Sequence, residues 1–351
     1  MMLELINITK RFADFCLEEV TFSVGEGDYF ILLGESGAGK SMVLETIAGL
    51  ITPDSGTVSL DGQDITPFKI QHRKIGLVFQ DHAVFPHLTV AENIVYSLHG
   101  NALTKDEKQE KVISIANELG IKELLNRKPG TLSGGELQRV ALGRTLVQQP
   151  TVLLLDEPLS SLDTRLKGDL RRLLRAIHRK GQTILHVTHD YEEALSLATK
   201  IAVIHQGRII QSGTPAEVFL HPKSEFVAHF IGVKNFFEAK LLTTNQVSYA
   251  FTHNNFQVRI VTDIPDGDGF ILIRGEDIFL SNQPVETSAA NTFKGIVIEI
   301  VPNKTGVDVA IDAGIELHAL ITRESLEKLD LVAGKTCWMH CKATAVRFIS
   351  K

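Results

Sequence analysis

One run of eight residues has the composition of a phosphate-binding turn. It fits the pattern G-x-x-x-x-G-K-[ST] and consists of Gly34, Glu35, Ser36, Gly37, Ala38, Gly39, Lys40 and Ser41. The glycines leave backbone amides open to an anion, and a helix N-terminus adds to that anion site. Lys40 suits the β- and γ-phosphates of a nucleotide, and the Ser41 hydroxyl suits Mg²⁺. The alternative is a glycine-rich turn that binds nothing.

Acidic and imidazole side chains follow two other apolar runs. Asp156 and Glu157 come directly after the run 151–155, and His189 follows the run 183–188. In open α/β sheets, ligands bind at the carboxyl ends of the strands. We predict that Asp156 holds Mg²⁺, that Glu157 is the general base that activates water, and that His189 contacts the γ-phosphate. The alternative for the two carboxylates is an acidic loop after a core strand.

The elements around the phosphate-binding turn are the ones that its chemistry requires. Residues 29–33 are apolar and of strand length, and residues 41–50 have apolar positions at helical spacing. Strands and helices alternate up to about residue 231, whereas residues from about 234 read as short strands separated by turns. We predict an α/β P-loop NTPase domain over 1–231 with a helical subdomain at about 81–150. An all-β domain over 232–351, an OB-like barrel, follows it.

A second glycine-containing turn lies in the helical region. It consists of Ser133, Gly134, Gly135 and Glu136, after Leu132. Ser133 and Glu136 form a capping box on their own, which is the simpler interpretation. Capping does not need the two glycines, each of which costs up to ~1 kcal/mol relative to alanine in a helix interior. We expect the glycines where a phosphate must approach backbone amides.

Composition excludes several classes of protein. The 351 residues carry a formal net charge of −6, which disfavours binding to nucleic acid by phosphate neutralisation. Three cysteines do not form a disulfide framework and suit the cytosol. The apolar runs are shorter than a membrane helix needs, and the N-terminus has no signal-peptide pattern. We expect a cytosolic chain that can dock onto a membrane partner.

The ordered set of motifs resembles an ABC transporter ATP-binding subunit over about residues 3–231. The motifs are the turn 34–41, Gln80, the signature 132–136, Asp156-Glu157, Ser161-Leu162-Asp163 and His189. The resemblance implies a head-to-tail homodimer in which Ser133, Gly134, Gly135 and Glu136 of one copy cover the ATP of the other. It implies that Phe12 stacks on adenine, that Gln80 contacts Mg²⁺ and water, and that Asp163 communicates across the dimer. It also implies transmembrane permease subunits that hold the chain at the cytoplasmic face of the membrane. A substrate-binding protein is then an indirect partner.

The C-terminal segment resembles the Mop type of molybdate-binding barrel module. The similar stretches are 291–295, 319–325 and 342–346. A tetrahedral dianion needs hydroxyls, amides and a cation, and the candidates for these roles are Thr322, Ser325, Lys342 and Thr344. The alternative is that these residues only decorate turns of the barrel.

These observations favour the ATPase of an oxyanion importer, with molybdate or tungstate as the cargo and with feedback inhibition by the anion at the C-terminal domain. Importers for sulfate, iron, polyamines or sugars carry related barrels and remain alternatives. An ABC ATPase without a transport role is disfavoured, because one cassette runs through without a long heptad insertion. An oxyanion-binding regulator with a vestigial ATPase is disfavoured by the intact Lys40, Glu157 and His189.

Overall fold

The computed structural model describes residues 2–100, 102–160, 162–254, 256–303 and 306–351. The chain separates into two compact units, 1–218 and 219–351. The domain boundary expected from the sequence, at 231/232, stays a prediction. None of the helices in the described residues combines the length and the apolar character that a membrane crossing requires.

The first unit contains two sheets. Its strands are β1 (Leu3–Arg11), β2 (Cys16–Val24), β3 (Tyr29–Leu33), β4 (Ser55–Leu60), β5 (Gln63–Asp64), β6 (Ile75–Val78), β7 (Val152–Asp156), β8 (Thr183–Thr188), β9 (Lys200–His205) and β10 (Arg208–Gly213). The central sheet has the order β10-β9-β3-β8-β7-β6, and its strands are parallel except for β10. β3, β7 and β8 are buried along their whole length, as expected for parallel strands covered on both faces. The other sheet is antiparallel, with the order β2-β1-β4-β5.

Strands β1 and β2 are longer than their alternating patterns predict. The sequence suggests strands over 3–8 and 20–24, whereas each strand has nine residues in the structure. Asn7 and Glu19 have φ values of 52° and 50°, and the β1–β2 register shifts near both residues. A β-bulge at these positions interrupts the period-two pattern without ending the strand.

The helices of the first unit flank the central sheet and form the predicted helical region. They are α1 (Lys40–Ala48), α2 (Val90–Tyr96), α3 (Lys105–Glu118), α4 (Gly134–Leu146), α5 (Thr164–Arg179) and α6 (Tyr191–Leu197). Helix α7 (Pro215–Leu220) spans the division between the units, and α8 (Glu225–Phe230) and α9 (Arg323–Leu329) belong to the second unit. The capping box predicted at the start of α4 is present, and Thr104 with Glu107 forms another capping box at the start of α3. Gly143 lies inside α4, where glycine is a poor helix former, and it packs against Ile94 of α2 and Leu119 at the end of α3. Its small size lets α4 approach these two helices closely.

One buried guanidinium holds the C-terminal end of α1. Arg73 is 3% exposed and donates to the carbonyl oxygens of Thr46 and Ile47, both at 2.9 Å. It also donates to the carbonyls of Phe68 and Thr66. Burial lowers the pKa of Arg73. A cation at this position complements the negative end of the helix dipole.

The second unit is mostly β structure around its own apolar core. Its strands are β11 (Asn235–Thr244), β12 (Val247–Thr252), β13 (Gln257–Ile260), β14 (Gly267–Ile273), β15 (Phe279–Ser281), β16 (Asn291–Pro302), β17 (Val307–Asp312), β18 (Glu316–Ile321), β19 (Thr336–Cys341) and β20 (Arg347–Ser350). They form antiparallel sheets with the orders β13-β12-β11-β14-β20 and β15-β19-β16-β17-β18. Buried residues from both sheets form one hydrophobic cluster. This confirms the predicted fold class; helix α9 lies between β18 and β19.

Candidate functional site

The polar residues predicted to act on a nucleotide lie at one edge of the central sheet. The turn 34–39 follows β3, Asp156 ends β7, and His189 follows β8 directly. These strands are neighbours and run in parallel, so their carboxyl ends meet at the same edge. The sequence prediction that these motifs converge is therefore met by the topology.

The phosphate-binding turn has the backbone conformation that glycine permits. Gly37 and Gly39 have φ values of 83° and 99°, in the left-handed region that side chains disfavour. A Cβ on Gly34 would lie 2.4 Å from the carbonyl oxygen of Ile204. Residues 35–37 are exposed, whereas 38–40 are buried. The first part of the turn is thus open to solvent, while the part that leads into helix α1 is buried.

Lys40, Glu157 and His189 form a charged group at the centre of the site. The Lys40 ammonium donates to the carbonyl oxygens of Gly34 and Glu35, at 2.9 and 2.8 Å. Its Nζ lies 3.6 Å from Glu157 Oε1, and His189 Nδ1 lies 3.1 Å from the same oxygen. Burial lowers the pKa of Lys40, and the Glu157 carboxylate opposes that shift. The group brings together the three residues predicted to be catalytic.

Backbone hydrogen bonds fix Glu157 relative to the neighbouring strand. Its amide donates to the Val187 carbonyl at 3.1 Å, while the Gly34 amide donates to the Thr188 carbonyl at 3.3 Å. Glu157 has a φ of 41°, a left-handed conformation that is unusual for a non-glycine residue. Strained backbone of this kind is concentrated at functional sites. The end of β8 therefore connects the phosphate-binding turn and the predicted base.

Ser41 and Asp156 provide two oxygen atoms side by side. The Ser41 hydroxyl donates to Asp156 Oδ1 at 3.0 Å. Burial raises the pKa of Asp156, and the hydrogen bond from Ser41 acts in the opposite direction. Hydroxyl and carboxylate oxygens are the donors that Mg²⁺ prefers, so these two residues fit the ion predicted from the sequence.

Gln80 is connected to the Glu157 backbone through Ser160. Its Nε2 donates to Ser160 Oγ at 3.4 Å, and the Ser160 hydroxyl donates to the Glu157 carbonyl at 2.9 Å. Within the described residues Gln80 makes no hydrogen bond to Ser41 or Asp156. The sequence did not identify Ser160, which connects Gln80 with the Glu157 backbone.

An open cleft of about 420 Å³ borders the phosphate-binding turn. It is lined by Phe15 and Cys16, by residues 35–38, and by His205 and Gln206. The Phe15 ring lies against Gly39, because a Cβ there would be 2.7 Å from Phe15 Cζ. Phe12, the residue predicted to stack on adenine, is half-buried in the β1–β2 turn and does not line this cleft. Phe15, three residues further on, was missed because its spacing matches no motif.

The signature turn forms a complete capping box. The Ser133 amide donates to Glu136 Oε2 at 2.7 Å, and the Ser133 hydroxyl donates to the same oxygen at 2.9 Å. These bonds hold the pKa of Glu136 below its usual range. Ser133 and Gly134 are exposed, and a Cβ on Gly134 would meet only Leu162, at an ordinary 3.5 Å. Packing within the chain does not require glycine at 134. No described hydrogen bond joins this turn to residues 34–41 of the same chain.

Asp163 begins helix α5. Its carboxylate accepts from the amides of Arg165 and Leu166, both at 3.0 Å, as an N-cap does. The predicted role of Asp163 across a dimer remains a prediction. Ser161, from the same predicted motif, lies outside the described residues.

The four oxyanion candidates fall into two pairs. Thr322 is the N-cap of α9, and its hydroxyl donates to Ser325 Oγ at 2.9 Å. Lys342 and Thr344 are exposed in the turn between β19 and β20. In the part of the chain that the structure describes, no hydrogen bond joins the two pairs. A shared anion site in this unit remains a prediction.

Family profiles match both units. The profile described as ABC transporter matches residues 17–160, and the profile described as TOBE domain matches residues 287–348.

Two curated relatives match most of the chain. The molybdate/tungstate import ATP-binding protein WtpC of Pyrococcus abyssi is 40% identical over 348 residues, which cover 99% of each chain. The spermidine/putrescine import ATP-binding protein PotA of Protochlamydia amoebophila is 40% identical over 303 residues, covering 84% of this chain and 81% of its own. The chain belongs to the family of ABC import ATP-binding proteins. Membership confirms the predicted ATPase activity and implies that the chain binds ATP.

A solved structure resembles the first unit. It is the dimeric structure of a post-hydrolysis state of an ATP-binding cassette bound to ADP and Pi. The TM-score is 0.55 at 28% identity, and the match covers 61% of this chain and 99% of that chain.

Proposed function

We propose that this chain hydrolyses ATP at the 34–41 site to power uptake of molybdate or tungstate. The observation that carries the proposal is the group formed by Lys40, Glu157 and His189, with Glu157 Oε1 at 3.6 and 3.1 Å from the two nitrogens. The cargo is taken from the relative that matches over the full length.

The roles follow from the chemistry of each side chain. Lys40 and the amides of 34–39 bind the β- and γ-phosphates, and His189 contacts the γ-phosphate. The Glu157 carboxylate orients the attacking water and accepts its proton. Ser41 and Asp156 would hold Mg²⁺, which would neutralise phosphate charge when bound, and Gln80 is the third candidate ligand. Phe12 or Phe15 contacts the base.

The site is completed by a second copy. Ser133, Gly134 and Gly135 are exposed or lie at a helix N-terminus, and Glu136 completes the capping box there. In the homodimer these amides approach the γ-phosphate bound to the partner copy, and Asp163 contacts that copy. Permease subunits bind the assembly at the cytoplasmic face of the membrane. The substrate-binding protein delivers cargo to the permease.

Replacing the base tests the catalytic assignment. Glu157→Gln keeps the shape of the side chain but removes its ability to accept a proton. We expect ATP turnover to fall at least ~100-fold, as for loss of a general base, while ATP binding is retained. Glu118→Gln, which alters a surface carboxylate paired with Lys180, is the matched control. Unchanged turnover of Glu157→Gln would remove Glu157 from the mechanism.

ATP-dependent dimerisation tests the shared site. In Glu157→Gln, trapped ATP should convert monomer into dimer in sedimentation experiments. Adding Ser133→Arg should prevent the dimer, because a bulky cation replaces the hydroxyl at the approach to the phosphate. An ATP-loaded dimer that forms equally well with Ser133→Arg would contradict the head-to-tail arrangement.

Ligand titration separates the cargo candidates. The full chain is titrated with tungstate, molybdate, sulfate and spermidine, and the wild type is compared with Ser325→Ala and Lys342→Ala. Binding of tungstate that both variants weaken supports the anion site, and slower ATP turnover of the reconstituted transporter with tungstate supports feedback inhibition. Binding of spermidine alone would favour polyamine import, for which PotA is the precedent among relatives.

A further inference from the structure

Four buried polar side chains lie in the core next to the loop that carries His189. They come from three elements: Tyr29 of β3, His186 and Thr188 of β8, and Glu193 of α6. We call them the buried polar set; none is more than 3% exposed. A polar group in such surroundings is costly unless it has a hydrogen-bond partner, so each contact in the set is specified.

Hydrogen bonds run through the set from the core to the loop that carries His189. Tyr29 Oη lies 3.1 Å from His186 Nδ1. His186 and Thr188 are two positions apart in β8 and so face the same side of the sheet. The Thr188 hydroxyl donates to Glu193 Oε2 at 2.8 Å and accepts from the amide of Asp190 at 3.0 Å. The Thr188 hydroxyl therefore holds the residue that follows His189 in the chain.

Asp190 connects this hydroxyl to the start of α6. Its carboxylate accepts from the amides of Glu192 and Glu193, at 2.8 and 3.4 Å, and so caps the helix. Glu193 lies in the first turn of that helix, so its amide binds Asp190 while its side chain binds the Thr188 hydroxyl, which in turn binds the Asp190 amide. These three residues form a closed ring of hydrogen bonds. The His189 side chain lies outside this ring, with its imidazole 3.1 Å from Glu157 Oε1.

The protonation states follow from the surroundings. Burial lowers the pKa of His186 to about 3, so its imidazole is neutral at pH 7. Burial raises the pKa of Tyr29, whose hydroxyl keeps its proton. In the tautomer that carries its proton on Nε2, Nδ1 accepts a hydrogen bond from the Tyr29 hydroxyl.

His186 Nε2 faces the carboxylate of Glu193 but does not form a hydrogen bond with it. Its nearest acceptor is Glu193 Oε2 at 3.5 Å, and it has no closer partner among the described residues. Burial raises the pKa of Glu193, whereas the positive charges of Lys167 and Arg171 on α5 lower it. In the tautomer with the proton on Nε2, this nitrogen is a buried donor without a hydrogen bond, so a movement of the Glu193 carboxylate towards it is favourable.

We propose that the buried polar set is a positioning device for His189, which places its imidazole against the γ-phosphate. Glu193 accepts from the Thr188 hydroxyl, and that hydroxyl holds the amide of Asp190, the residue after His189. His186, which Tyr29 contacts, lies on the core side of Glu193, 3.5 Å from its carboxylate. The inference rests on the proposed role of His189. Thr188 and Glu193 are positioning residues, since neither reaches the phosphate-binding turn with its side chain.

A hydroxyl deletion with a matched control tests the device. Thr188→Val removes the hydroxyl at constant shape, Thr188→Ser retains it, and Thr183→Val makes the same change at the other end of β8. Thr183 is also buried, but its hydroxyl accepts from the amide of Gly27. We expect Thr188→Val to lower kcat about tenfold at unchanged ATP affinity, the effect of losing one buried hydrogen bond. Thr188→Ser and Thr183→Val should stay within about twofold of the wild type.

Double variants show whether the effect passes through His189. In a His189→Ala background, Thr188→Val should cause no further loss of kcat, because the group it positions is gone. An equal tenfold loss in that background, or equal kcat for Thr188→Val and Thr183→Val, would overturn the positioning role and leave the proposed function intact. Wild-type turnover of His189→Ala would overturn both.

Glu193→Gln provides a second route if Thr188→Val does not fold. The substitution is isosteric, removes the charge and weakens both contacts of the carboxylate. The expected signature is again a lower kcat with unchanged ATP affinity, and no additional loss in the His189→Ala background. A Glu193→Gln enzyme with wild-type kcat would contradict the device.

Discussion

His186 illustrates how one side chain in this fold depends on its surroundings. It sits in the middle of a strand that is buried at every position, and both of its neighbours across the sheet are apolar. Its place inside the apolar run 183–188 favours a structural role, in contrast to His189, which follows that run. What the sequence could not show is that Tyr29 and Glu193 meet it from two other elements, since both contacts depend on tertiary packing.

We predict that His186 makes the first unit less stable in acid. The pKa of His186 falls from 6.5 to about 3 on folding, so the unfolded chain binds the proton more readily. Its contribution is complete above pH 6.5 and is lost as the pH falls towards 3, with a loss of about 2 kcal/mol at pH 5. Urea denaturation at pH 7.5 and pH 5 should show this loss in the wild type and not in His186→Phe.

The comparison of variants isolates this residue. Glu193, with a raised pKa, works in the opposite direction as the pH falls, and it is present in both proteins. His340 of the second unit is also buried with a lowered pKa, and it too is unchanged. His99→Phe, at an exposed position, should keep the full pH dependence of the wild type. Identical pH dependence of the wild type and His186→Phe would contradict the assignment.

Among the elements, helix α1 is held at both ends by different means. Its N-cap is Gly39 in the left-handed conformation, a glycine that belongs to the phosphate-binding motif. Its C-terminus is held by Arg73 from a turn that is distant in sequence. No motif identifies Arg73, because its partners are carbonyl groups of the backbone and leave no trace in the sequence. Strand ends and capping boxes were predicted where the signal is local. The bulges of β1 and β2 were not, since a bulge changes the period without a characteristic residue.

We predict that Arg73→Leu destabilises the first unit by about 3 kcal/mol. The substitution removes the donor of four carbonyl oxygens, those of Thr46 and Ile47 in the core and those of Thr66 and Phe68 in half-buried positions. The Thr46 carbonyl keeps the Gly49 amide, whereas each buried group left unsatisfied costs roughly 1–3 kcal/mol before the structure relaxes. Urea denaturation gives the change in free energy of unfolding. Arg172→Leu is the control, because that guanidinium is 78% exposed and should change stability by no more than ~0.5 kcal/mol. Equal effects of both substitutions would show that Arg73 is not a structural clamp.

On the scale of the whole molecule, each unit has its own hydrophobic core and its own candidate ligand. The core of the first unit includes Val43 and Leu44 of the helix that follows the phosphate-binding turn. The core of the second unit includes Val309 of β17 and Met339 of β19, two strands of one sheet that both pair with β16. The sequence predicted both fold classes because the change from mixed to all-β patterning is abrupt. It could not test whether Thr322 and Lys342 converge, since their separation depends on the path of β19 and the loop after it.

We predict that nucleotide and anion protect different parts of the chain from hydrogen exchange. At 100 times its dissociation constant, a ligand adds about 2.7 kcal/mol to the unit that binds it, which slows globally exchanging amides about 100-fold. In Glu157→Gln, ATP with Mg²⁺ should protect peptides within 2–218, and tungstate should protect peptides within 219–351. Lys40→Ala should remove the first effect and keep the second. Protection of the 219–351 peptides by ATP as strong as that of 2–218 would contradict separate sites.

The capping box at Ser133 has a consequence for the proposed homodimer. Glu136 accepts hydrogen bonds from the serine hydroxyl and amide and stays ionised, because those same hydrogen bonds lower its pKa. In that proposed arrangement, a triphosphate bound to the other copy would compete with Glu136 for the Ser133 hydroxyl. The negative charge of Glu136 beside the hydroxyl would then oppose the approach of the phosphate.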